Sequence, residues 1–267
     1  MPSRLKKVLS SVGLYGPARY LARLPFRQIS EYRTQINGVQ VRFDTRDPRS
    51  NAWFFPRYRN GRLHEAPITR LLIEELQDKR CFIDIGAHIG WYACVAATVF
   101  PDLKVIAFEM DGSTADQLET NARLNATSIE VHPLAVIDQP GTVSYECPTD
   151  RPFSENRIDP DASSPNRHAD ATSLDAFVAE HSIRPDIIKI DVEGAELMAL
   201  RGMENTIQEL RPTIFVEVHP ENLPLFGSST DEAKSFLTDR GYEISSISHK
   251  LKPTDSQPQM LVARPTA

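Results

Sequence analysis

The stretch FIDIGAHIGWY, residues 82–92, decides the fold. Phe82, Ile83 and Ile85 form a short apolar run in which Asp84 marks the end of a strand. Gly86 and Gly90 frame a turn, and WYACVAATVF (91–100) reads as the helix that follows. An apolar strand leading through a glycine turn into a helix is the opening unit of a doubly wound α/β sheet, which binds ligands at the C-terminal ends of its strands. Glycine at the turn lets the backbone approach a ligand closely. The spacing is GxxxG rather than GxGxxG, so the dinucleotide fingerprint is not met. A cofactor without phosphates needs no pyrophosphate cradle, only acceptors for an ammonium group and for hydroxyls. Asp84 is a candidate for the ammonium group, directly or through water; the bland reading has it bonding its own loop.

Outward from this stretch, strands and helices alternate. KVIAFE (104–109), IEVHPLAV (129–136), GTVSYEC (141–147), DIIKID (186–191) and TIFVEVH (213–219) read as strands. Residues 113–124, SLDAFVAEH (173–181), AELMALRGMENTIQEL (195–210) and residues 231–239 read as helices. Continuously apolar strands alternating with helices predict a mostly parallel sheet covered on both faces. YEISSISH (242–249) and QMLVAR (259–264) come without a helix between them, which predicts an antiparallel hairpin at one sheet edge. Residues 149–171 are rich in Pro, Ser, Asp and Asn without an apolar period, and read as a long loop of the kind that serves as a functional lid or an insertion.

Before the sheet, TQINGVQVRFDT (34–45) alternates around Asn37-Gly38, a strong hairpin signal. Residues 51–62 carry Trp53, Phe54, Phe55 and Tyr58 among arginines and read as an aromatic-rich loop. EAPITRLLIEELQDK (65–79) reads as a helix, with an acid and a proline at its start. Residues 1–63 are therefore expected to form an N-terminal extension of basic helix, hairpin and loop, and residues 64–267 the α/β domain.

The composition bounds the function. The chain has 267 residues, 40% hydrophobic and 25% charged, with a net charge of −6. This is enough for one large domain. The acidic balance argues against a nucleic-acid partner. Three cysteines, Cys81, Cys94 and Cys147, with no CxxC pair exclude a disulfide framework and a zinc ribbon and fit a cytoplasmic compartment. No apolar run reaches the ~20 residues of a membrane span. Residues 1–30 carry Arg4, Lys6, Lys7, Arg19, Arg23 and Arg27 with no acid, and read as a basic amphipathic helix packed on the domain, with weak peripheral membrane contact as the alternative.

Three further signals join the glycine turn. Glu109 ends the strand after Asp84, a little over twenty residues on, where an acid in such folds accepts from ribose hydroxyls. In DIIKIDVEGAEL (186–197), Lys189 and Asp191 share a strand face and are expected to pair, since a buried lysine is costly alone. Glu193 falls near the next helix start, where the dipole favours an acid. In TIFVEVHP (213–220), Glu217 and His219 share a face at the same sheet edge.

DIGAHIG, VIAFE, SLDAFV, DIIKIDVEGAELMALRG and PTIFVEVHP, in that order, resemble the FkbM family of methyltransferases, and the match runs from about Glu65 to His219. The resemblance implies the class I methyltransferase fold, S-adenosylmethionine as cofactor and methyl transfer to a hydroxyl of a small molecule, sugar or glycan. It implies cofactor roles for Asp84, Gly86, Gly90 and Glu109 and active-site roles for Asp191 and Glu193, with Glu65 lining the cofactor pocket. His88 stands where the family usually has Asn, and Met110 where it has Pro. His88 can still donate or accept, and Met110 serves as an adenine-side contact or as packing. The candidates for base or active-site roles are Asp191, Lys189, His219 and Glu193. Asp191, Glu217 and His219 are expected to converge at the strand tips, with Lys189 and a protonated His219 balancing the acids and no metal required. A Mg²⁺ ion there would instead make Asp191 and Glu217 ligands. The rival readings are an NAD-dependent oxidoreductase on a similar sheet, a non-catalytic module that keeps the fold and a nucleic-acid methyltransferase, the last disfavoured by charge and by the lack of an Asn-Pro-Pro-aromatic motif. Oligomeric state is not legible.

Overall fold

The computed structural model describes residues 30–54, 58, 61–146, 156–160, 167–247 and 257–266, with the side chains of positions 49 and 52 excepted. The basic helix expected over residues 1–30 lies outside the described residues, apart from Ser30, as does Cys147.

The chain opens on an antiparallel hairpin, β1 (Glu31–Ile36) and β2 (Val39–Asp44), turning at Asn37-Gly38. A short helix α1 (Pro48–Phe54) and helix α2 (Ala66–Glu75) lead to the main sheet. That sheet is built from β3 (Cys81–Ile85), β4 (Lys104–Phe108), β5 (Ile129–His132), β10 (Ile187–Ile190), β11 (Thr213–Val218), β12 (Tyr242–Ile247) and β13 (Gln259–Pro265). Their spatial order is β12-β13-β11-β10-β3-β4-β5. The five strands from β11 to β5 are parallel, and β13 inserts antiparallel between β11 and β12. The order reverses between β3 and β10, and a doubly wound sheet opens its ligand crevice at such a switch point.

Helices α3 (Trp91–Val99), α4 (Gly112–Leu124), α5 (Leu174–His181), α6 (Glu196–Arg201) and α7 (Thr230–Thr238) connect these strands. A second small sheet, in the order β6-β9-β7-β8, is formed by β6 (Ala135–Val136), β7 (Gly141–Glu146), β8 (Arg157–Ile158) and β9 (Arg167–Thr172). The doubly wound sheet closed by an antiparallel hairpin is the expected fold class.

Four local expectations need correction. IEVHPLAV is not one strand: β5 ends at His132 and β6 joins the small sheet, because the peptide leaves the parallel ladder at Pro133. At Pro133 the chain turns back on itself, the Leu134 N–H donating to the His132 carbonyl at 2.8 Å. AELMALRGMENTIQEL is not one helix: α6 stops at Arg201, and a π-helical turn follows over Thr206–Leu210. Residues 149–171 are not wholly loop. Short β8 and most of β9 fall within them, and Ala169 and Ala171 bury one face against β7. Alanines carry too little hydrophobic signal to reveal a half-buried strand. The lid expected there falls largely on residues outside the described ones. Residues 51–62 begin inside α1, so the aromatic-rich segment is partly helical.

The hairpin is bound into the same core as the sheet. Tyr32, Val41, Phe43 and Phe54 bury in one hydrophobic cluster with Trp91, Tyr92 and Leu118. Phe43 stacks on Trp91 at 5.1 Å between ring centres. Buried Asn121 of α4 accepts the Asp44 N–H at 2.8 Å and donates to the Ile89 carbonyl at 2.8 Å, joining hairpin and glycine turn through one side chain. Cys81 and Cys94 are buried and unpaired, as core residues. Among the described residues no helix is long and apolar enough to cross a membrane.

Candidate functional site

The parallel strands deliver the chemistry-bearing residues to one sheet edge. Gly86, His88 and Gly90 follow β3; Glu109 and Met110 follow β4; Asp191 and Glu193 follow β10; His219 follows β11. Glu65 caps α2 over the same edge and accepts the Tyr92 hydroxyl at 2.7 Å.

Asp84 is not at an exposed tip. The strand runs one residue further, to Ile85, and the carboxylate is fully buried. Its Oδ2 accepts the Ala93 N–H at 3.2 Å in the first turn of α3, and Oδ1 lies 3.6 Å from Lys189 Nζ. Burial pushes the Asp84 carboxyl up, with Lys189 opposing. Asp84 thus ties strand, helix and buried lysine together from within.

The two glycines answer to neighbouring atoms. Gly86 has φ +74, and a Cβ there would lie 1.8 Å from the Asp191 carbonyl oxygen. The turn after β3 and the exit of β10 are therefore packed backbone on backbone. Gly90 has φ +85, and a Cβ would lie 2.7 Å from Leu118 Cγ, so this glycine lets α4 close on the turn.

Glu109 links two loops: His88 N–H donates to Oε2 at 2.9 Å and Asp111 N–H to Oε1 at 3.0 Å. Burial nevertheless pushes its carboxyl up to about 7. His88 takes φ +52, a left-handed conformation that Asn tolerates better than most residues, which accounts for a position where either stands. Met110 is half-buried and packs in the cluster of Ala135, Tyr145 and Ala195 under the small sheet.

Across the switch point lies a dense charged group. Lys189 is buried, donates to Asp191 Oδ2 at 3.4 Å and sits 4.9 Å over the Tyr92 ring. Burial pulls the lysine down, but Asp191 and Asp84 outweigh it and hold the ammonium above its ordinary range. Asp191 is held below the carboxylate range: burial opposes this, and Lys189 and His219 prevail. His219 Nε2 stands 3.4 Å from Glu193 Oε1 and 3.8 Å from Asp191 Oδ1, and Nδ1 is 2.7 Å from Glu196 Oε1. Burial alone would lower the imidazole; Glu193 and Glu196 raise it well above its usual value. Glu217 is buried inside β11, and burial together with Asp191 pushes it up.

Glu193 is not in the first turn of a helix, since α6 begins at Glu196. It takes φ +53 and is held by Asn222 Nδ2 at 3.2 Å. Residues that the sequence reading missed are Glu196, Tyr92, Asn222 and His64, whose Nε2 lies 3.5 Å from Glu65 Oε2. Glu196 lies within the DIIKIDVEGAEL motif; its signal was an acid at a helix start beside a glycine.

A doubly wound parallel sheet with an antiparallel strand inserted at one edge is the class I methyltransferase fold. The profile of the Methyltransferase FkbM domain matches residues 84–244. The chain belongs to the FkbM methyltransferase family. It is 31% identical over 157 residues to the hexuronic acid methyltransferase AglP of Haloferax volcanii, a match covering 58% of this chain and 62% of that protein. It is 23% identical over 210 residues to methyltransferase 1 of Beauveria bassiana, covering 70% of this chain and 82% of that protein. In fold it is similar to the Methanococcus jannaschii fibrillarin pre-rRNA processing protein, with a TM-score of 0.50 and 10% identity over 88% of this chain and 83% of that one.

Proposed function

We propose that this chain is an S-adenosylmethionine-dependent O-methyltransferase acting on a hydroxyl of a sugar, glycan or other small molecule. The observation that carries this reading is the sign of the sheet edge. Glu65, Glu109, Asp191 and Glu193 stand at the C-terminal edge around the switch point, without a phosphate-binding glycine motif. Such a rim repels a pyrophosphate and suits a cofactor with a cationic sulfonium and ammonium. That disfavours the oxidoreductase reading.

S-adenosylmethionine supplies an electrophilic methyl group. The chain's own residues bind and align. Glu109, placed between the turn after β3 and the loop after β4, offers its carboxylate to the ribose hydroxyls, and its two backbone donors hold it in position. His88 and the backbone around Gly86 and Gly90 shape the cofactor side, with Met110 packing beside them. Glu65 closes the rim above Tyr92. Asp191, half-exposed between Lys189 and His219, faces the acceptor side and orients the acceptor hydroxyl by accepting its hydrogen bond. Alignment of donor and acceptor lowers the barrier to the displacement.

A sugar acid fits this acceptor side, and the relative AglP is a hexuronic acid methyltransferase. Arg157 of β8 lies 3.4 Å from Asn222 Oδ1, and Asn222 in turn holds Glu193. Its carboxylate partner, Glu146, is equally distant at 3.4 Å. The guanidinium therefore has weak bonds to exchange for an acceptor carboxylate.

The test is incubation with isotope-labelled S-adenosylmethionine and metabolite and glycan extracts, with mass detection of the product. A labelled methyl ether on a sugar is the expected result. Failure to bind S-adenosylmethionine in calorimetry would remove the reading; binding without turnover on any hydroxyl would favour the non-catalytic module.

A further inference from the structure

We propose that Asp191, Glu193 and His219 form a binding site for one divalent cation of the Mn²⁺ type, which neither the methyl-transfer chemistry nor the family membership requires. One ligand atom from each lies within 4.8 Å of the others. The inference goes beyond the proposed reaction and stands or falls separately from it.

The geometry around His219 carries it. Glu193 Oε1 and Asp191 Oδ1 both face the same nitrogen, Nε2, at 3.4 and 3.8 Å. An N–H···O bond is normally about 2.7–3.2 Å long. One ring N–H serves one acceptor well, so neither contact is a good hydrogen bond. Two carboxylates leaning on one nitrogen at these distances surround a point rather than a proton. Cis ligands of an octahedral ion sit about 3 Å apart, so small side-chain rotations bring the three atoms into place.

The back of the ring is built as a support. Nδ1 lies 2.7 Å from Glu196 Oε1, and the same oxygen accepts the Gly194 N–H at 2.8 Å. Glu196 is fully buried, and its Oε2 has no hydrogen-bond partner among the described residues. Binding of the ion displaces the Nε2 proton, and with Nδ1–H still donating to this carboxylate, Nε2 then presents a lone pair toward Asp191 and Glu193. A carboxylate behind an imidazole is how proteins orient a histidine toward a metal. The other ligands are also held from behind. Lys189 takes Asp191 Oδ2 at 3.4 Å, leaving Oδ1 toward His219, and Asn222 takes Glu193 Oε2 at 3.2 Å, leaving Oε1 toward His219.

The charges point the same way. A balance struck by Lys189 and His219 alone, which the sequence suggested for Asp191 and Glu217, must now serve Asp84, Asp191, Glu193 and Glu196, since the structure adds Asp84, Glu193 and Glu196 to the group. Glu217, which the sequence offered as a ligand, stays inside β11 and outside the converging trio. The Asp191 side chain is 29% exposed, which leaves an open side for water or an acceptor hydroxyl. Two carboxylate oxygens with one imidazole nitrogen suit Mn²⁺ better than Mg²⁺, which prefers oxygen alone.

The experiment titrates Mn²⁺ into the metal-stripped full chain and follows free Mn²⁺ by electron paramagnetic resonance. One saturable site is expected. Asp191→Asn and Glu193→Gln should each weaken it at least about tenfold, and Glu196→Gln by about 10- to 100-fold without touching the ion. Glu217→Gln should leave it within about threefold. The electron spin echo of Mn²⁺ on the unsubstituted protein should carry nitrogen modulation from a bound imidazole, a readout that needs no variant to fold. Absence of a saturable site, absence of that modulation, or equal affinity in all four variants overturns the proposal. S-adenosylhomocysteine titrated into the same samples reports the cofactor site independently. Its failure alone removes the proposed function, whereas loss of Mn²⁺ binding alone removes the ion site.

Discussion

Lys189 Nζ lies 3.6 Å from Asp84 Oδ1, and the two residues are register partners on the adjacent parallel strands β10 and β3. These strands flank the switch point, so a charge pair replaces the apolar contact usual at the middle of such a sheet. Its effect is to link the floor of the crevice to Asp191 on one side and to the first turn of α3 on the other.

Removing one partner should therefore be costly. Lys189→Met leaves Asp84 buried without its cation and should destabilise the protein by about 3–5 kcal/mol in urea unfolding. Asp84→Asn with Lys189→Met should recover more than half of that loss. A single-variant cost below about 1 kcal/mol would show that the pair contributes little.

Glu109 gives a pH signature. Its folded carboxyl is raised to about 7, chiefly by burial. A raised acid stabilises the folded state below its unfolded value near 4.5, and that contribution is lost as pH rises through about 7. The stability difference between the unsubstituted chain and Glu109→Gln should shift against the former by up to roughly 3 kcal/mol from pH 4.5 to 7.5. S-adenosylmethionine affinity should rise over the same interval, since the ribose fork needs the carboxylate. In Glu109→Gln it should be flat and about 10- to 100-fold weaker. A parallel rise in both proteins would assign the titration to another group.

Gly86→Ala should damage the fold more than its size suggests. The added Cβ meets the Asp191 carbonyl oxygen at 1.8 Å and carries a left-handed φ. Overpacking and the left-handed penalty together amount to roughly 2–5 kcal/mol. Thermal unfolding would measure it, and a variant as stable as the parent would mean that the β10 exit moves freely.

Arg157→Ala should separate acidic from neutral acceptors. Loss of a charge-assisted bond to an acceptor carboxylate is worth about 1.5–3 kcal/mol. KM for a hexuronic acid acceptor should rise roughly tenfold or more, with little change for the corresponding neutral sugar and unchanged S-adenosylhomocysteine binding. Equal effects on both sugars would move carboxylate recognition elsewhere.

Much of this was legible in the sequence because it is local. The spacing of Asp84, Gly86 and Gly90, the acid at Glu109 one unit later, and the alternation of Lys189 with Asp191 all lie within single strand–turn–helix units. The hairpin at Asn37-Gly38 and the closing pair of strands were readable for the same reason. Less legible were elements whose stability comes from distant partners. Strand β9 is RHADAT, and only its pairing with β7 makes it a strand. The aromatic residues around Trp53 are no simple loop because Trp91, from another element, packs against them.

By itself, the amino-acid order determined the class of sheet, the family and the strand tips at which the site assembles, since period and turn chemistry act over a few residues. Tertiary structure alone decided which of the acids share a nitrogen. Glu193 turns left-handed and Glu196 takes the helix start, so the trio around His219 contains Glu193 in place of Glu217, with Glu196 behind it. The physical reason is that a side chain's partner depends on the backbone path where three segments meet. That path is set by contacts such as Gly86 against Asp191 and Gly194 beside Asn222, which no local pattern encodes.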